Sequence, residues 1–286
     1  MTTPTITSLC KGILASFPHH LDHLAPISFY EKIPLLVRNN ETEEALLDFY
    51  PWVPYYRLEK FPKIHELDTF ISTSTSETPL RELHHALHGK KPKMVRFHHG
   101  FSDKFQDFSL YDSVLSYKDF PNYRLRFYHE FKKEIFEKAK PFLPVPETAK
   151  PLLVALTWDS PDIEEKLVQL CQHPLKERFV FRLHPILAER ELLHIRLQAK
   201  YSIHLLSHNC PYIYPFLELH SGILTDRSSI GYDTLYFRKP LFVLDDVPLK
   251  KFSFDTLENW LHACDQSRES PNFQHEYTKI FGAYPH

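Results

Sequence analysis

Apolar residues along the chain fall into short, nearly unbroken runs separated by longer stretches in which they recur every three or four positions. The short runs read as strands covered on both faces, and the longer stretches as amphipathic helices. In the first half the pattern predicts strands at Ile33–Val37, Pro54–Leu58, Thr69–Ser72, Met94–His98 and Ser113–Ser116. Helices are expected at Glu41–Phe49, Pro79–His88 and Tyr128–Ala139. In the second half strands are expected at Leu152–Thr157, Phe179–Leu183, Ile203–Leu206, Gly222–Leu224 and Leu241–Leu244. The helices between them are Pro161–Cys171, Ile186–Ala199, Pro211–Leu219 and Ser228–Phe237, with Pro161 and Pro211 at helix starts and Asp159-Ser160 as a cap.

Alternation of strand and helix implies parallel sheets flanked by helices. Pro141-Phe142-Leu143-Pro144-Val145-Pro146 fits neither a helix nor a central strand, so it marks a stiff connector near the midpoint. The expected organisation is therefore α/β, with one lobe over residues 1–143 and a second over 144–286. Two such lobes facing a central cleft would bind ligand where the carboxyl ends of their strands meet.

Bulk composition narrows the class. With 286 residues and 43% hydrophobic content, the chain can bury a core in each lobe. A formal net charge of −2 gives no whole-molecule field for nucleic acid, so an anion site must be local. Cys10, Cys171, Cys210 and Cys264 are scattered and point to a reducing compartment. No run reaches the length of a spanning helix, and Met1 to Ser8 lacks the pattern of a signal peptide. The expected location is cytoplasmic, with room left for peripheral contact at the inner face of the membrane.

Three segments, each following a strand, carry candidate chemistry. The first is Arg96-Phe97-His98-His99-Gly100-Phe101-Ser102-Asp103-Lys104. A histidine there can take a proton from an alcohol, and Lys104 can offset phosphate charge. His98 competes with His99, because neighbours on extended chain point to opposite faces; an ordinary turn with solvated side chains is the bland alternative. The second is Phe181-Arg182-Leu183-His184-Pro185, in which Arg182 and His184 share a face, although a capped strand end explains it as well. The third is Thr225-Asp226-Arg227-Ser228-Ser229-Ile230-Gly231-Tyr232-Asp233. Ser228 and Ser229 open a helix whose amino end suits a diphosphate, and Asp233 lies i to i+4 from Ser229. A serine-capped helix without a ligand is the common alternative.

Other motifs point away from rival chemistries. Gly-x-Gly-x-x-Gly, a Walker loop and Gly-x-Ser-x-Gly are absent. His19-His20-x-x-His23 and His84-His85-x-x-His88 have spacings that could hold a metal but lack a carboxylate partner, so no metal is expected.

In this order, the three segments resemble the CDP-glycerol glycerophosphotransferase family, whose members build teichoic-acid-like polymers on two Rossmann-like lobes in the GT-B arrangement. The matching residues are His99-Gly100-x-x-x-Lys104, His184-Pro185, and Thr225-Asp226-x-Ser228-Ser229-x-x-Tyr232-Asp233 followed by Lys239-Pro240. The chain departs from the family at Phe101-Ser102-Asp103, where Thr-Pro-Leu is common. Arg227 and Tyr232 also depart, the first replacing an aromatic residue and the second Phe. The resemblance implies that His99 acts as base on the acceptor, while His184 and the serine pair hold the donor diphosphate. The expected site is then His99 and His184 as catalytic residues, with Lys104, Arg182, Thr225, Asp226, Ser228, Ser229 and Asp233 toward the donor. No metal or separate cofactor is implied. The implied partners are CDP-glycerol or a nucleotide sugar as donor and an envelope polymer or lipid-linked acceptor. A sugar transferase on the same scaffold and a catalytically inactive nucleotide-binding module remain alternatives.

Overall fold

A computed structural model describes residues 10–97, 108–115, 122–143 and 150–273. The described residues divide into two compact units, the first running to Lys138 and the second from Ala139 onward. Among the described residues the first unit holds a six-stranded sheet of β1 (Lys11–Ala15), β2 (Leu35–Val37), β3 (Tyr55–Arg57), β4 (Thr69–Ser72), β5 (Lys93–Phe97) and β6 (Ser113–Leu115). Its order is β3-β2-β1-β4-β5-β6, with every neighbour parallel. The chain starts at the centre, builds outward to β3, then returns to start the other half at β4. The two halves diverge between β1 and β4, the topological switch point of a doubly wound sheet.

Helices α1 (Leu21–Glu31), α2 (Asn40–Phe49), α3 (Pro79–His88), α4 (Tyr123–Glu130) and α5 (Lys132–Ala139) accompany these strands. α2 starts because the side chain of Asn39 accepts the Thr42 N–H at 2.8 Å, with Glu41 and Glu43 in its first turn. α3 ends where Gly89 adopts φ 69°, a left-handed conformation that glycine accepts without steric cost. On one face of the sheet Leu14, Leu36, Phe70 and Met94 form a small core with Phe61 and Leu67.

The second unit repeats the plan with β7 (Leu152–Ala155), β8 (Phe179–Phe181), β9 (His204–Leu205), β10 (Gly222–Thr225) and β11 (Leu241–Val243), in the order β11-β10-β7-β8-β9 and again parallel. Its switch point lies between β7 and β10. Its helices are α6 (Ile163–Cys171), α7 (Pro185–Glu189), α8 (Leu193–Tyr201), α9 (Tyr214–Leu219), α10 (Ile230–Tyr236) and α11 (Leu257–Gln266). β7, β8 and β10 contribute Leu152, Val154, Phe179, Phe181 and Leu224 to a core closed by Trp260 and Cys264 of α11. Gly222 permits that closure: a Cβ there would collide with Cys264 Sγ and come within 3.2 Å of the Trp260 ring.

Several expected elements are corrected. β1, α1 and α11 were not anticipated, and β1 is a central strand of the first sheet. The helix expected over Tyr128–Ala139 is two helices, α4 and α5. The helix expected over Ile186–Ala199 is broken at the 3-10 turn Arg190–Leu192, where Leu192 takes a positive φ. α6 begins at Ile163 and not at Pro161, behind an Asp162 that is left-handed and provides no side-chain cap. α9 uses Pro215 in its first turn, so Pro211 lies outside it.

Candidate functional site

The second unit's switch point is built by two loops, one after β7 and one after β10. Thr225, the last residue of β10, is fully buried, and its hydroxyl donates to the Ala155 carbonyl at 2.5 Å. The next residue, Asp226, is also fully buried. Its carboxylate accepts the Thr157 N–H at 3.1 and 2.9 Å and the Ser228 N–H at 2.9 Å. Burial pushes the Asp226 carboxyl up to about 6 and the Asp245 charge adds to the rise, while the hydrogen bonds from Thr157, Ser160 and Ser228 oppose it. Thr225 and Asp226 therefore tie the two loops together from below.

The side chains above them differ in kind. Ser228 and Ser229 are half-buried at the start of α10. The backbone N–H groups of Tyr232 and Asp233 bond to the Ser229 carbonyl at 3.0 and 3.2 Å, while the Gly231 N–H bonds to the Ser228 carbonyl at 3.1 Å. Gly231 lets this first turn sit against its neighbours, because a Cβ would strike Leu249 and lie 3.1 Å from Thr225 Cγ2. Asp233 faces inward and accepts the Tyr214 hydroxyl at 3.3 Å. Arg227 reaches across the switch point and donates from Nη2 to the Asp159 carbonyl at 2.6 Å. Its Nε is a buried donor with no hydrogen-bond partner among the described residues.

His184 caps α7 with its own ring: Nδ1 accepts the Ile186 N–H at 3.3 Å, and Pro185 occupies the first turn. In the neutral ring this places the proton on Nε2. The His184 ring centroid is 6.4 Å from that of Trp158, which is 36% exposed on the loop after β7. Arg182 donates from Nη2 to the Cys210 carbonyl at 2.7 Å and lies over the Phe216 ring at 4.5 Å, so its guanidinium is engaged inside the unit.

The loop after β7 also reaches β11. Thr157 Oγ1 donates to Asp159 at 3.0 Å, and Ser160 donates to Asp245 at 3.3 Å. Lys166 of α6 bonds both Ser160, at 2.9 Å, and Asp245, at 2.5 Å. Asp159-Ser160 thus binds other loops and does not cap α6. The sequence reading missed Thr157, Trp158, Asp159, Ser160, Lys166 and Asp245. The signal available was position alone, since the segment directly follows the strand that pairs with β10.

The catalytic histidine expected in the first unit, His99, lies outside the described residues, as do His98, Gly100 and Lys104. The structure brings Thr225, Asp226, Ser228, Ser229 and Asp233 together on β10 and α10, and places Arg182 and His184 at the end of β8, on the far side of β7 from β10. As for the histidine pairs, both ring nitrogens of His84 face carbonyls, Lys90 and Ile64, each at 2.7 Å. No group of three metal-ligating side chains is gathered among the described residues. Nor is any helix among them long and apolar enough to cross a membrane.

No family model matches the chain, and no curated protein matches it by sequence. Solved structures do match it in three dimensions. Anabaena HepE in complex with UDP-glucose is 11% identical at a TM-score of 0.51, covering 95% of this chain and 95% of that one. The S. aureus MnaA structure with UDP is 12% identical at a TM-score of 0.50, covering 96% and 98%. The wall teichoic acid polymerase TagF is 12% identical at a TM-score of 0.50, covering 88% of this chain and 72% of that chain. The fold is of the GT-B type. At these identities the GT-B likeness speaks for architecture alone, and the chemistry rests on this chain's own residues.

Proposed function

We propose that this GT-B chain is a nucleotide-dependent transferase that moves a glycerophosphate group from a CDP-activated donor to an acceptor alcohol in envelope polymer synthesis. The observation that carries the reading is the pairing of β7 with β10. It gathers Ser228, Ser229 and Arg227 at the switch point where doubly wound sheets bind nucleotides, with His184 on the adjacent strand end. These residues belong to two of the motifs that resemble the CDP-glycerol glycerophosphotransferases.

Roles follow from geometry. Ser228 supplies its hydroxyl and Ser229 its hydroxyl and backbone N–H to the diphosphate, and the unpartnered Nε of Arg227 adds a charged donor. His184, protonated at Nε2, donates to a phosphate oxygen. Thr225 and Asp226 hold the loops and do not touch the donor. Arg182, bound to the Cys210 carbonyl, positions the strand end from which His184 projects. Lys104, of the first motif, offsets phosphate charge.

In the reaction the acceptor oxygen attacks the phosphorus that carries the glycerol. The bond from that phosphorus to the bridging oxygen breaks, CMP leaves with the electron pair, and His99 takes the acceptor's proton. Positioning and charge stabilisation carry the rate. A second reading, sugar transfer from a UDP-sugar with UDP leaving, is favoured by the likeness to HepE, whose structure contains UDP-glucose, and to MnaA, whose structure contains UDP. Calorimetric titration with CMP, UDP, CDP-glycerol and UDP-glucose separates the two. The proposal expects cytidine compounds to bind more tightly than uridine compounds, and the reverse order would replace it with sugar transfer.

A further inference from the structure

The first unit has a switch point of its own, and its side chains show a pattern of which only Arg96 falls within the three segments. Strand pairing sets Leu14 against Leu36, Phe70 against Met94, and Ser72 against Arg96. Side chains two apart on a strand share a face. β1 and β4 are offset, with Gly12 against Phe70, so on this face the apolar Leu36, Leu14, Phe70 and Met94 give way toward the carboxyl end to Arg38, Ser16, Ser72 and Arg96 in a staggered row. The ladder continues past the ends of β1 and β2, since the Arg38 N–H bonds to the Ala15 carbonyl at 3.2 Å. A polar row thus crosses the carboxyl end of the sheet on both sides of the switch point.

Glu77, from the 3-10 turn Thr75–Glu77 after β4, folds onto this row and is fully buried. Ser16 Oγ donates to Glu77 Oε1 at 2.5 Å and itself accepts from Arg38 Nη1 at 3.3 Å. Ser72 Oγ contacts both Glu77 Oε2 and the Ser74 carbonyl, the latter at 2.9 Å. Glu77 accepts from the Ser72 hydroxyl as it does from Ser16, so the two serines hold its carboxyl from both sides of the switch point. Burial pushes the Glu77 carboxyl up to about 7, against the hydrogen bonds from Ser16 and Ser72 and the charges of Arg38 and Arg96.

Two guanidinium groups, Arg38 and Arg96, act on this one carboxyl. Arg96 is 9% exposed, and its Nε is a buried donor with no hydrogen-bond partner among the described residues. Its Nη1 donates to the Tyr111 hydroxyl at 3.0 Å, and the guanidinium lies 5.4 Å from that ring centroid. Arg38 is exposed at the end of β2. Two cations set against one carboxyl leave the row net positive, and the unused donor on the buried cation is an arrangement completed by an oxyanion.

We propose that this row is an anion subsite, in which Arg38 and Arg96 bind the phosphate of a phosphate ester while Glu77 holds Ser16 and Ser72 in place across the switch point. Identification of that phosphate with the acceptor rests on the transferase reading; the alternative source is the donor's diphosphate. The experiment is calorimetric titration of the full chain with glycerol phosphate and, separately, with CMP, using wild type, Arg38→Gln and Arg96→Gln. Arg38 is exposed, so its variant keeps the fold. The expected result is a loss of glycerol phosphate affinity of about tenfold to a hundredfold in both variants, with CMP affinity unchanged. No glycerol phosphate binding to wild type, or unchanged affinity in folded Arg38→Gln, overturns the subsite. Equal weakening of CMP overturns the acceptor assignment. Failure of CMP to bind wild type while glycerol phosphate binding depends on Arg38 leaves the subsite standing and overturns the transferase reading.

Discussion

Asp226 and Thr157 are 69 positions apart, yet both carboxylate oxygens of Asp226 accept the Thr157 backbone N–H, at 3.1 and 2.9 Å. The loop after β10 is thereby fixed to the loop after β7, and the same carboxylate holds the Ser228 N–H. Asp226→Ala would leave two N–H groups without their acceptor. It should cost roughly 2–3 kcal/mol of stability, read as a lower urea midpoint. An unchanged midpoint would mean that the two loops are held together by other contacts.

Gly222 makes a second packing prediction. Cys264 and Trp260 are both fully buried where a Cβ would intrude, so neither can move into solvent. Gly222→Ala should destabilise the chain by roughly 1–3 kcal/mol, the range of overpacked cores. Thermal unfolding checks this, and a rise in midpoint would show that α11 has space to shift.

Glu77 gives a pH dependence with a definite sign. Its carboxyl titrates near 7 in the folded chain, above the ordinary 4.5, so the folded state holds a proton that the unfolded state has released. This contribution to stability is fully present below about 4.5 and is lost as pH rises through 7. Glu77→Gln lacks the titration. Between pH 4.5 and 8 its stability relative to wild type should therefore climb by as much as roughly 3 kcal/mol. Burial also lowers His19 and His220 to about 4, which gives the opposite slope, but both are present in each protein and cancel in the difference. Urea titrations at several pH values measure it; a pH-independent difference would place the proton elsewhere.

These residues also show what the sequence could and could not reveal. Nearly continuous apolar strands such as Leu152–Ala155 and Leu35–Val37 are legible because burial on both faces demands apolar residues at every position. β1 is harder to see: its first residue is the exposed Lys11, and Gly12, whose Cβ would strike the Leu36 side chain, interrupts the run. Missing β1 hid the first switch point, and with it the relation between Ser16, Ser72 and Glu77, residues 61 and 5 positions apart that meet only after β1 pairs with β4. In the second unit the motif Thr225 to Asp233 stood out by spacing, but spacing could not separate buried Thr225 and Asp226 from half-buried Ser228 and Ser229. That division depends on the pairing of β10 with β7.

For the donor seat, replacing Ser228 and Ser229 together by Ala should weaken nucleotide binding by roughly 1–3 kcal/mol, the scale of lost bonds to a charged group. Calorimetry with CMP on the folded double variant measures this. Unchanged affinity would move the diphosphate away from the start of α10.

The central claim is tested most directly by turnover of CDP-glycerol with wild type, His98→Ala and His99→Ala, products being identified by mass spectrometry. The account predicts CMP release and a glycerophosphate adduct on the acceptor with wild type. It also predicts a fall of roughly 10²–10⁴-fold in His99→Ala with nucleotide affinity retained, and near-normal turnover in His98→Ala. Loss of activity in His98→Ala alone would shift the base by one residue. Wild type that releases no CMP and forms no adduct under conditions where it binds CMP would contradict the account.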